Sequence, residues 1–249
     1  MESLDISKSD NIATLTLRRG KVNALNEEFI GQIKAAFQEL ENDYDIKSVI
    51  ITGGGNFFSF GFDIPEFLNF TKGDFGRFVT KFTELYTYLF MFPKPVIAAL
   101  NGHTIAGGCM LASACDYRLM VPGRARISLN EVAFGSTVFA GSVEMLKCSV
   151  CHKNAEKILF TGKMFTAEEA FDMGLVDRIS FENEIYGDAL KVARGFAQRS
   201  GPAFASIKKL CRGPVAEKMK SREEESIREF LDIWYSDETQ KNIRNIKIR

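Results

Sequence analysis

The sequence carries no surplus of either charge, and this absence narrows the classes of partner that it can bind. Its 249 residues contain 32 lysines and arginines against 32 aspartates and glutamates, so the formal net charge is zero. Proteins that bind nucleic acid or an anionic membrane surface need a basic patch or stripe, and the sequence shows none. We therefore expect neither partner, whereas self-association meets little charge repulsion.

Long apolar runs and a disulfide framework are also missing. No stretch reaches the roughly 18 apolar residues that a membrane helix needs, and the polar N-terminus MESLDISKSD lacks the apolar core of a signal peptide. The five cysteines are odd in number and follow no regular spacing. Cys148 and Cys151 form a lone CxxC, which we interpret as a reduced pair on a helix, with metal binding or redox cycling as the minor alternative. These features predict a cytoplasmic protein.

The sequence does contain strands that alternate with helices. Apolar runs predict strands, and apolar residues at helical spacing predict an amphipathic helix with Asn26 as its N-cap. The strands are predicted at 12–17, 48–52, 96–100, 117–121 and 125–128, and the helices at 27–41, 105–115 and 65–92, the last with a glycine-containing loop near 72–76. This order is typical of an α/β fold with largely parallel strands.

The composition changes near residue 200. The chain is mixed α/β before this point, whereas residues 201–249 are predicted to be helical and have few aliphatic side chains to bury. We predict that residues 1–200 form the core with the functional site and that 201–249 pack on this core or on another subunit.

Two glycine-containing loops, residues 57–64 and 101–110, follow buried strands and precede helices. The N-terminus of a helix offers unpaired N–H groups and a partial positive charge, and glycine lets a ligand approach them. Two converging loops of this kind would place two donors on one oxygen, the arrangement that stabilises an oxyanion. On spacing alone, plain turns remain the alternative.

The same two loops carry a family pattern. Residues 58–64 are FSFGFDI, and residues 94–108 are KPVIAALNGHTIAGG. Further matches lie at 15–17, 23–26, 160–162, 167–170 and 174–176. Over roughly residues 5–215 the chain resembles the crotonase (enoyl-CoA hydratase/isomerase) superfamily, and its active-site pattern is closest to that of Δ3,Δ2-enoyl-CoA isomerases.

The resemblance implies a fold and an assembly. The fold would be the crotonase spiral of ββα repeats in residues 1–200, which would hold coenzyme A and the active site. Residues 201–249 would form the helical C-terminal region that packs and trimerises, giving a homotrimer or a hexamer built from two trimers. It also implies no metal and no cofactor, because the coenzyme A thioester is the substrate.

The resemblance further implies a catalytic set. The backbone N–H groups of Phe62 and Gly107 would hold the thioester oxygen, and Glu131 would transfer the proton. Hydratases of the family carry a second glutamate at the position that Met110 occupies here, and a thioether can replace neither function of that carboxylate. One carboxylate is sufficient to move a double bond, so the pattern favours an isomerase.

Substrate contacts carry over from the same motifs. They are expected at Lys21, Ala24, Phe60, Phe62, Asp63, Ile64, Gly107, Met110 and Phe139. Phe60 and Phe62 replace the small residues that are usual in the first loop, and they are either core aromatics or a reshaped wall of the acyl channel. His103 lies in the second loop, where it could act as a base, but a plain loop residue is the better interpretation.

We therefore expect an enzyme that stabilises the enolate of an acyl-CoA thioester and moves a double bond from Δ3 to Δ2, with Glu131 as the single proton shuttle. A hydratase or another enolate chemistry that uses Glu131 with a second group is the alternative. A non-catalytic acyl-CoA-binding protein is a further alternative from a different functional class.

Overall fold

The structure is a computed structural model that describes residues 3–245 of the chain. The strands are β1 (Leu4–Ser9), β2 (Ile12–Leu17), β3 (Ser48–Gly53), β4 (Phe57–Ser59), β5 (Val96–Leu100), β6 (His103–Ile105), β7 (Tyr117–Met120), β8 (Ile127–Ser128) and β9 (Arg178–Ile179). The helices are α1 (Glu27–Asn42), α2 (Ile64–Phe67), α3 (Lys72–Met91), α4 (Gly107–Ala114), α5 (Ala140–Ser149), α6 (His152–Thr161), α7 (Ala167–Asp172), α8 (Ile185–Ala197), α9 (Gly201–Trp234) and α10 (Asp237–Arg244). A 3₁₀ turn covers Glu131–Phe134.

The strands form two sheets, and from β3 to β8 the chain alternates between them. The larger has the strand order β1-β2-β3-β5-β7-β9, with β1 antiparallel and the other neighbours parallel, and the smaller has the order β4-β6-β8, all parallel. The pairs β3–β4, β5–β6 and β7–β8 each place one strand in each sheet before the chain enters a helix or the 3₁₀ turn. This repeated unit confirms the predicted α/β spiral of ββα repeats, and α9 and α10 confirm the helical C-terminal region.

The strands form where the sequence is continuously apolar. All residues of β5 are buried, and β3 is buried except at Thr52. Parallel strands that are covered on both faces favour such runs over strict alternation. Their carboxyl ends lead into the two glycine-containing loops, so the sheets bring these loops to one edge of the molecule.

Helix α1 begins as predicted, because the Asn26 side chain accepts a hydrogen bond from the Phe29 N–H (3.0 Å). The predicted loop near residues 72–76 is wrong, since α3 is helical from Lys72 onward. Thr71 caps this helix through the Asp74 N–H (3.1 Å). A methyl group on Gly76 would lie 3.2 Å from the Leu231 side chain, so this glycine serves close helix packing rather than a turn.

The C-terminal helix α9 packs on the body of the molecule, against α3 and α5. Its Glu223 and Ser226 side chains accept hydrogen bonds from the backbone N–H groups of Gly141 (2.8 Å) and Ala140 (3.0 Å) at the start of α5. These bonds satisfy two donors that have no partner inside α5. The C-terminal region therefore fixes the start of α5.

The expected position of Cys148 and Cys151 on one helix is only partly correct. Cys148 lies in α5, whereas Cys151 is the N-cap residue of α6, so the pair spans a helix junction and not one helix. Both are free and exposed. Between residues 3 and 245, the structure contains no helix with the length and hydropathy needed to cross a membrane.

Candidate active site

A largely apolar cavity of about 220 Å³ opens where the two glycine-containing loops meet the 3₁₀ turn and α9. Most of the residues predicted for the site line this cavity: Phe60, Phe62, Ile64, Gly107, Met110, Glu131 and Phe139. The fold therefore brings together side chains that are as far apart in sequence as residues 60 and 139. Clefts of this kind, with few polar groups, are the usual form of a small-molecule site.

The two predicted amide donors border the cavity. Phe62 follows Gly61 in the first loop, and Gly107 is the first residue of α4, where an N–H has no partner within its helix. Neither N–H donates a hydrogen bond to any acceptor in the described part of the chain, residues 3–245. A methyl group on Gly61 would lie 3.1 Å from the Gly107 nitrogen, so the two loops are in contact. The arrangement is compatible with two donors that face one ligand oxygen.

Close approach of the loops depends on two glycines. Gly61 has a φ of 93°, which favours glycine, and a methyl group on Gly108 would lie 2.5 Å from the Ser59 carbonyl oxygen. Between them in space, Ala106 has a φ of 49°, a conformation that an alanine rarely adopts. Backbone strain of this kind costs about 1–3 kcal/mol and concentrates at functional sites.

Glu131 is the acid group of the cavity. Its side chain is 4% exposed, and its Oε2 atom has no hydrogen-bond partner among the described residues. Burial raises the pKa of Glu131 from its ordinary value of 4.5 to about 8, and its own backbone N–H offsets this only in part. A carboxyl group with a pKa near neutrality can both accept and donate a proton, which a general acid–base catalyst requires.

Of the residues that line the cavity in the described chain, Glu131 alone carries a carboxyl group. Met110 is buried and contributes its thioether to the wall. Glu144, a buried carboxylate of α5, does not line the cavity and forms ion pairs with Lys218 (2.9 Å) and Arg222 (3.4 Å). The described cavity lining thus contains one carboxyl group and no second carboxylate opposite it.

The sequence left open whether Phe60 and Phe62 are core aromatics or form the wall of the acyl channel. The Phe62 ring packs edge-on against Phe78 and Phe82, with ring centroids 4.9 Å apart in each case, and it also borders the cavity. A methyl group on Gly107 would lie 3.0 Å from this ring. Phe60 is half-buried, lies against Phe57 and lines the cavity. Both rings are therefore core aromatics that also form the wall.

Three predicted contact residues lie outside the cavity lining. Lys21 borders a separate cleft together with Arg18 and the turn at Gly54. Ala24 is buried, and its carbonyl accepts a hydrogen bond from Arg19.

The expected contact of Asp63 with substrate stays a prediction, and its carboxylate is engaged in the fold. One oxygen accepts hydrogen bonds from Arg19 Nη1 (2.7 Å), and the other caps α2 at the Glu66 N–H (3.4 Å). The motif position that the resemblance assigned to substrate contact is therefore occupied by a structural ion pair.

Sequence reasoning missed several residues of the wall. Phe230 and Trp234 of α9 close one side of the cavity, so the site is not built from residues 1–200 alone. Ser136 and Asn130, which flank the 3₁₀ turn, also border it. The only available signal for the two aromatic residues was their four-residue spacing, which places both on one face of a helix.

Several polar atoms around the cavity have no partner. Of the buried side-chain N and O atoms without a hydrogen bond in residues 3–245, those of Asn130, Glu131, Ser136 and Trp234 belong to residues that line it. An unsatisfied buried polar atom costs about 1–3 kcal/mol, so a concentration of them marks a site rather than a core. No group of three or more His, Cys, Asp or Glu side chains in the described residues is arranged to hold a metal ion.

Comparisons with known proteins agree with this geometry. The family described as Enoyl-CoA hydratase/isomerase matches residues 7–245. The chain is 28% identical over 234 residues to "Enoyl-CoA delta isomerase 1, mitochondrial" of Mus musculus, covering 93% of this chain and 81% of that protein. It is 31% identical over 195 residues to "Short-chain-enoyl-CoA hydratase" of Clostridium acetobutylicum, covering 78% of this chain and 74% of that one.

The solved structures give the same result for the fold. The crystal structure of human mitochondrial delta3-delta2-enoyl-CoA isomerase superposes with a TM-score of 0.94 and 25% sequence identity, covering 98% of this chain and 96% of that chain. Proteins named as isomerases and proteins named as hydratases are therefore both similar to this one.

Proposed function

The chain belongs to the enoyl-CoA hydratase/isomerase family, and we propose that it isomerises 3-enoyl-CoA thioesters to 2-enoyl-CoA thioesters, with Glu131 as the single proton shuttle. The observation that carries this proposal is the cavity with one carboxyl group, because a second carboxylate opposite Glu131 would be expected for hydration. Met110 stands where that second group would lie.

In the proposed reaction the thioester oxygen accepts hydrogen bonds from the N–H groups of Phe62 and Gly107. The Glu131 carboxylate removes a proton from C2, and the C–H electrons form a dienolate whose negative charge lies on the thioester oxygen. The same carboxyl group returns its proton at C4, and the electrons shift so that the double bond lies between C2 and C3. No atom is gained or lost, so one group is sufficient for both proton transfers.

The apolar wall supports this chemistry in two ways. It keeps the proton affinity of Glu131 high, because a charged carboxylate is poorly solvated there. It also leaves little room for water beside C3, which favours return of the proton over addition of water. Preorganised N–H donors stabilise the enolate more strongly in such a site than in water.

The coenzyme A moiety is proposed to extend from the cavity toward the cleft that Lys21 and Arg18 border. This cleft lies beside the segment that leads into the first loop, and its lining includes the backbone turn at Gly54 and Gly55. Cationic side chains at this place would suit phosphate groups. The role of Lys21 is a proposal that Lys21→Ala tests through the dissociation constant of an acyl-CoA.

The experiment that tests the function compares 3-enoyl-CoA and 2-enoyl-CoA as substrates for the wild type and for Glu131→Gln. We expect conversion of the 3-enoyl thioester by the wild type and a loss of at least about a hundredfold in the variant, because general acid–base groups contribute on this order. Unimpaired isomerisation by Glu131→Gln would remove Glu131 from the mechanism. Binding of acyl-CoA thioesters without any turnover would instead support the non-catalytic alternative.

Hydration of 2-enoyl-CoA is the second candidate, and the unpartnered side chains of Asn130 and Ser136 favour it. Either could hold a water molecule near Glu131 in place of the missing carboxylate. If hydration is the main reaction, the wild type should form 3-hydroxyacyl-CoA faster than it isomerises, and Ser136→Ala or Asn130→Leu should slow hydration without slowing isomerisation. The similarity to hydratases as well as isomerases gives this assay its importance.

The assembly and the compartment also remain proposals. From the family resemblance we propose that this chain forms a homotrimer or a pair of trimers, which a mass measurement in solution would test. A cytoplasmic location stays a prediction, and the similar protein of Mus musculus carries "mitochondrial" in its name.

A further inference from the structure

The peptide unit between Gly61 and Phe62 sets the direction in which the Phe62 N–H points. The Gly61 carbonyl accepts a hydrogen bond from the Leu25 N–H (2.7 Å). Because a trans peptide unit is planar, its N–H points opposite to its C=O, and the described chain contains no cis peptide. The bond from Leu25 therefore turns the Phe62 N–H away from residue 25 and leaves it free for a ligand.

The segment that makes this bond is held by Arg19. Its Nη1 atom donates to the Ala24 carbonyl oxygen (2.8 Å) and to Asp63 Oδ2 (2.7 Å). The Asp63 N–H in turn donates to the Leu25 carbonyl oxygen (3.0 Å). One guanidinium thus joins the residue before Leu25 to the residue after Phe62, across the bridge that fixes the peptide of the proposed oxyanion hole.

The surroundings make this a rigid clamp rather than a surface ion pair. The Arg19 and Asp63 side chains are only 24% and 19% exposed. Arg19 Nη2 also donates to Glu66 (3.3 Å), and the Asn26 side chain donates to the same carboxylate (2.9 Å). The planar fork of arginine reaches several acceptors at fixed angles, which a lysine ammonium cannot reproduce.

We propose that Arg19, acting through Asp63, is a positioning residue that aims the Phe62 N–H at the thioester oxygen. Arg19 does not border the cavity, so its effect reaches the substrate only through Asp63 and the backbone of the first loop. The proposal rests on the proposed enolate chemistry and adds a determinant of its rate. It predicts that weakening the clamp affects the enolate more than the bound ground state, because the enolate oxygen carries more charge.

The test uses Arg19→Lys and Asp63→Asn, with Arg118→Lys and Asp177→Asn as matched controls. Arg118 likewise joins backbone carbonyls to a carboxylate. It donates to the carbonyls of Leu175 and Cys115 (2.9 Å each) and pairs with Asp177 (3.0 Å), but it lies outside the cavity lining. Loss of an oxyanion donor costs about 10²–10³ in rate, and a displaced donor should cost part of this. We expect kcat to fall about 10- to 100-fold in the Arg19 and Asp63 variants, with KM changed less than about threefold.

The controls separate positioning from general stability. Both sets of variants should lower the melting temperature, whereas only the Arg19 and Asp63 variants should lower kcat. Asp63→Asn keeps an oxygen that can cap α2, so it serves as the folded variant if Arg19→Lys does not fold. A loss of kcat in the Arg118 and Asp177 variants of equal size would overturn the proposal.

A second readout does not depend on turnover. The infrared stretching frequency of the thioester carbonyl, measured on a bound saturated acyl-CoA with a ¹³C-labelled carbonyl, reports how strongly the two N–H groups polarise it. We expect a lower frequency in the wild type than in free ligand, and a return toward the free value in Arg19→Lys and Asp63→Asn only. An unchanged frequency in these variants would overturn the positioning role even if the protein were not an isomerase. A wild type that binds the thioester with this shift but does not isomerise would contradict the proposed function alone.

Discussion

At the scale of single residues, the proposed chemistry depends on one buried carboxyl group. Glu131 begins a 3₁₀ turn, and the Ser136 N–H donates to its backbone carbonyl (2.9 Å), so the backbone is fixed while the Oε2 atom has no partner in the described chain. Burial without a cationic neighbour in the cavity wall is the reason for its raised pKa. The same burial that suits Glu131 to the proposed proton transfer raises its pKa to about 8, which favours the protonated form at neutral pH.

The pH dependence follows from this pKa. A base must be ionised in the free enzyme, so kcat/KM for 3-enoyl-CoA should rise with pH and level off above a midpoint near 8. The folded-state pKa is raised above the ordinary 4.5, so the protonated form favours folding, and this stability is lost as the pH rises from about 4.5 through 8. The free energy of unfolding, measured against pH, should show this slope in the wild type and lack it in Glu131→Gln. A kcat/KM midpoint near 4.5 would contradict the buried, unpaired carboxyl group.

The Gly107 N–H can be tested by a pair of substitutions. Gly107→Pro removes the N–H at the first position of α4, where proline suits the helix. Gly107→Ala keeps the N–H and introduces the same Cβ, 3.0 Å from the Phe62 ring. Relative to the alanine variant, the proline variant should lose about 10²–10³ in kcat. Equal rates in the two variants, with equal circular dichroism, would exclude the Gly107 N–H from the oxyanion hole.

At the scale of elements, α9 fixes the start of α5, the helix that follows Phe139 of the cavity wall. The Glu223 carboxylate accepts hydrogen bonds from the Gly141 N–H and from the Tyr86 hydroxyl group, and burial raises the pKa of Glu223. A methyl group on Gly141 would lie 2.6 Å from the Tyr86 hydroxyl oxygen, so α3 and α5 pack here without space for a side chain on residue 141. Phe139, which borders the cavity, directly precedes the capped helix.

Loss of this cap should be visible in stability. Glu223→Ala removes an acceptor for two buried donors, and it should lower the free energy of unfolding by about 1.5–3 kcal/mol, measured by urea denaturation. Glu224→Ala is the matched control, because the Glu224 side chain is 87% exposed and forms only a helical pair with Arg228. That change should stay within about 0.5 kcal/mol. Similar losses in the two variants would show that the contact of α9 with α5 does not depend on the cap.

At the scale of the whole molecule, α9 is apolar on two sides. One side packs on α3 and α5, whereas Ile207 and Leu210, near its start, are 61% and 75% exposed. Large apolar side chains at the surface are typical of contacts between subunits when they cluster. Within residues 201–249, we therefore expect the first turns of α9 to form the contact between subunits of the predicted trimer.

Light scattering should give a mass of three or six times the 27.9 kDa of one chain. Leu210→Glu should lower this mass toward that of the single chain, because it places a charge in an apolar contact. Lys209→Glu is the control, since Lys209 is exposed and adjacent on the same helix. If Leu210→Glu retains the oligomer, the contact between subunits lies elsewhere. A single-chain mass for the wild type would contradict the predicted assembly.

Much of the fold and the site could be predicted because the signals are local. The strand runs, the N-cap at Asn26 and the glycine loops depend on near neighbours in sequence, and the motif spacing located Phe62, Gly107 and Glu131. The start of α3 at Lys72 could not be read in this way, since Gly73 and Gly76 suggest a turn. Contact with Leu231, more than 150 residues later, is what makes a glycine suitable inside that helix.

The sequence by itself determined the family and the spiral fold, and it singled out Glu131 as the proposed proton-transfer group, because each is encoded in short motifs and periodic patterns. Tertiary structure alone decided three further points: that Phe230 and Trp234 complete the cavity, that Asp63 pairs with Arg19, and that Glu131 is buried with no charged residue beside it in the described cavity lining. These depend on contacts between distant segments, and the pKa of Glu131 depends on how completely those segments exclude water from it. The types of the residues were legible in the sequence, whereas their solvation and their partners existed only once the chain had folded.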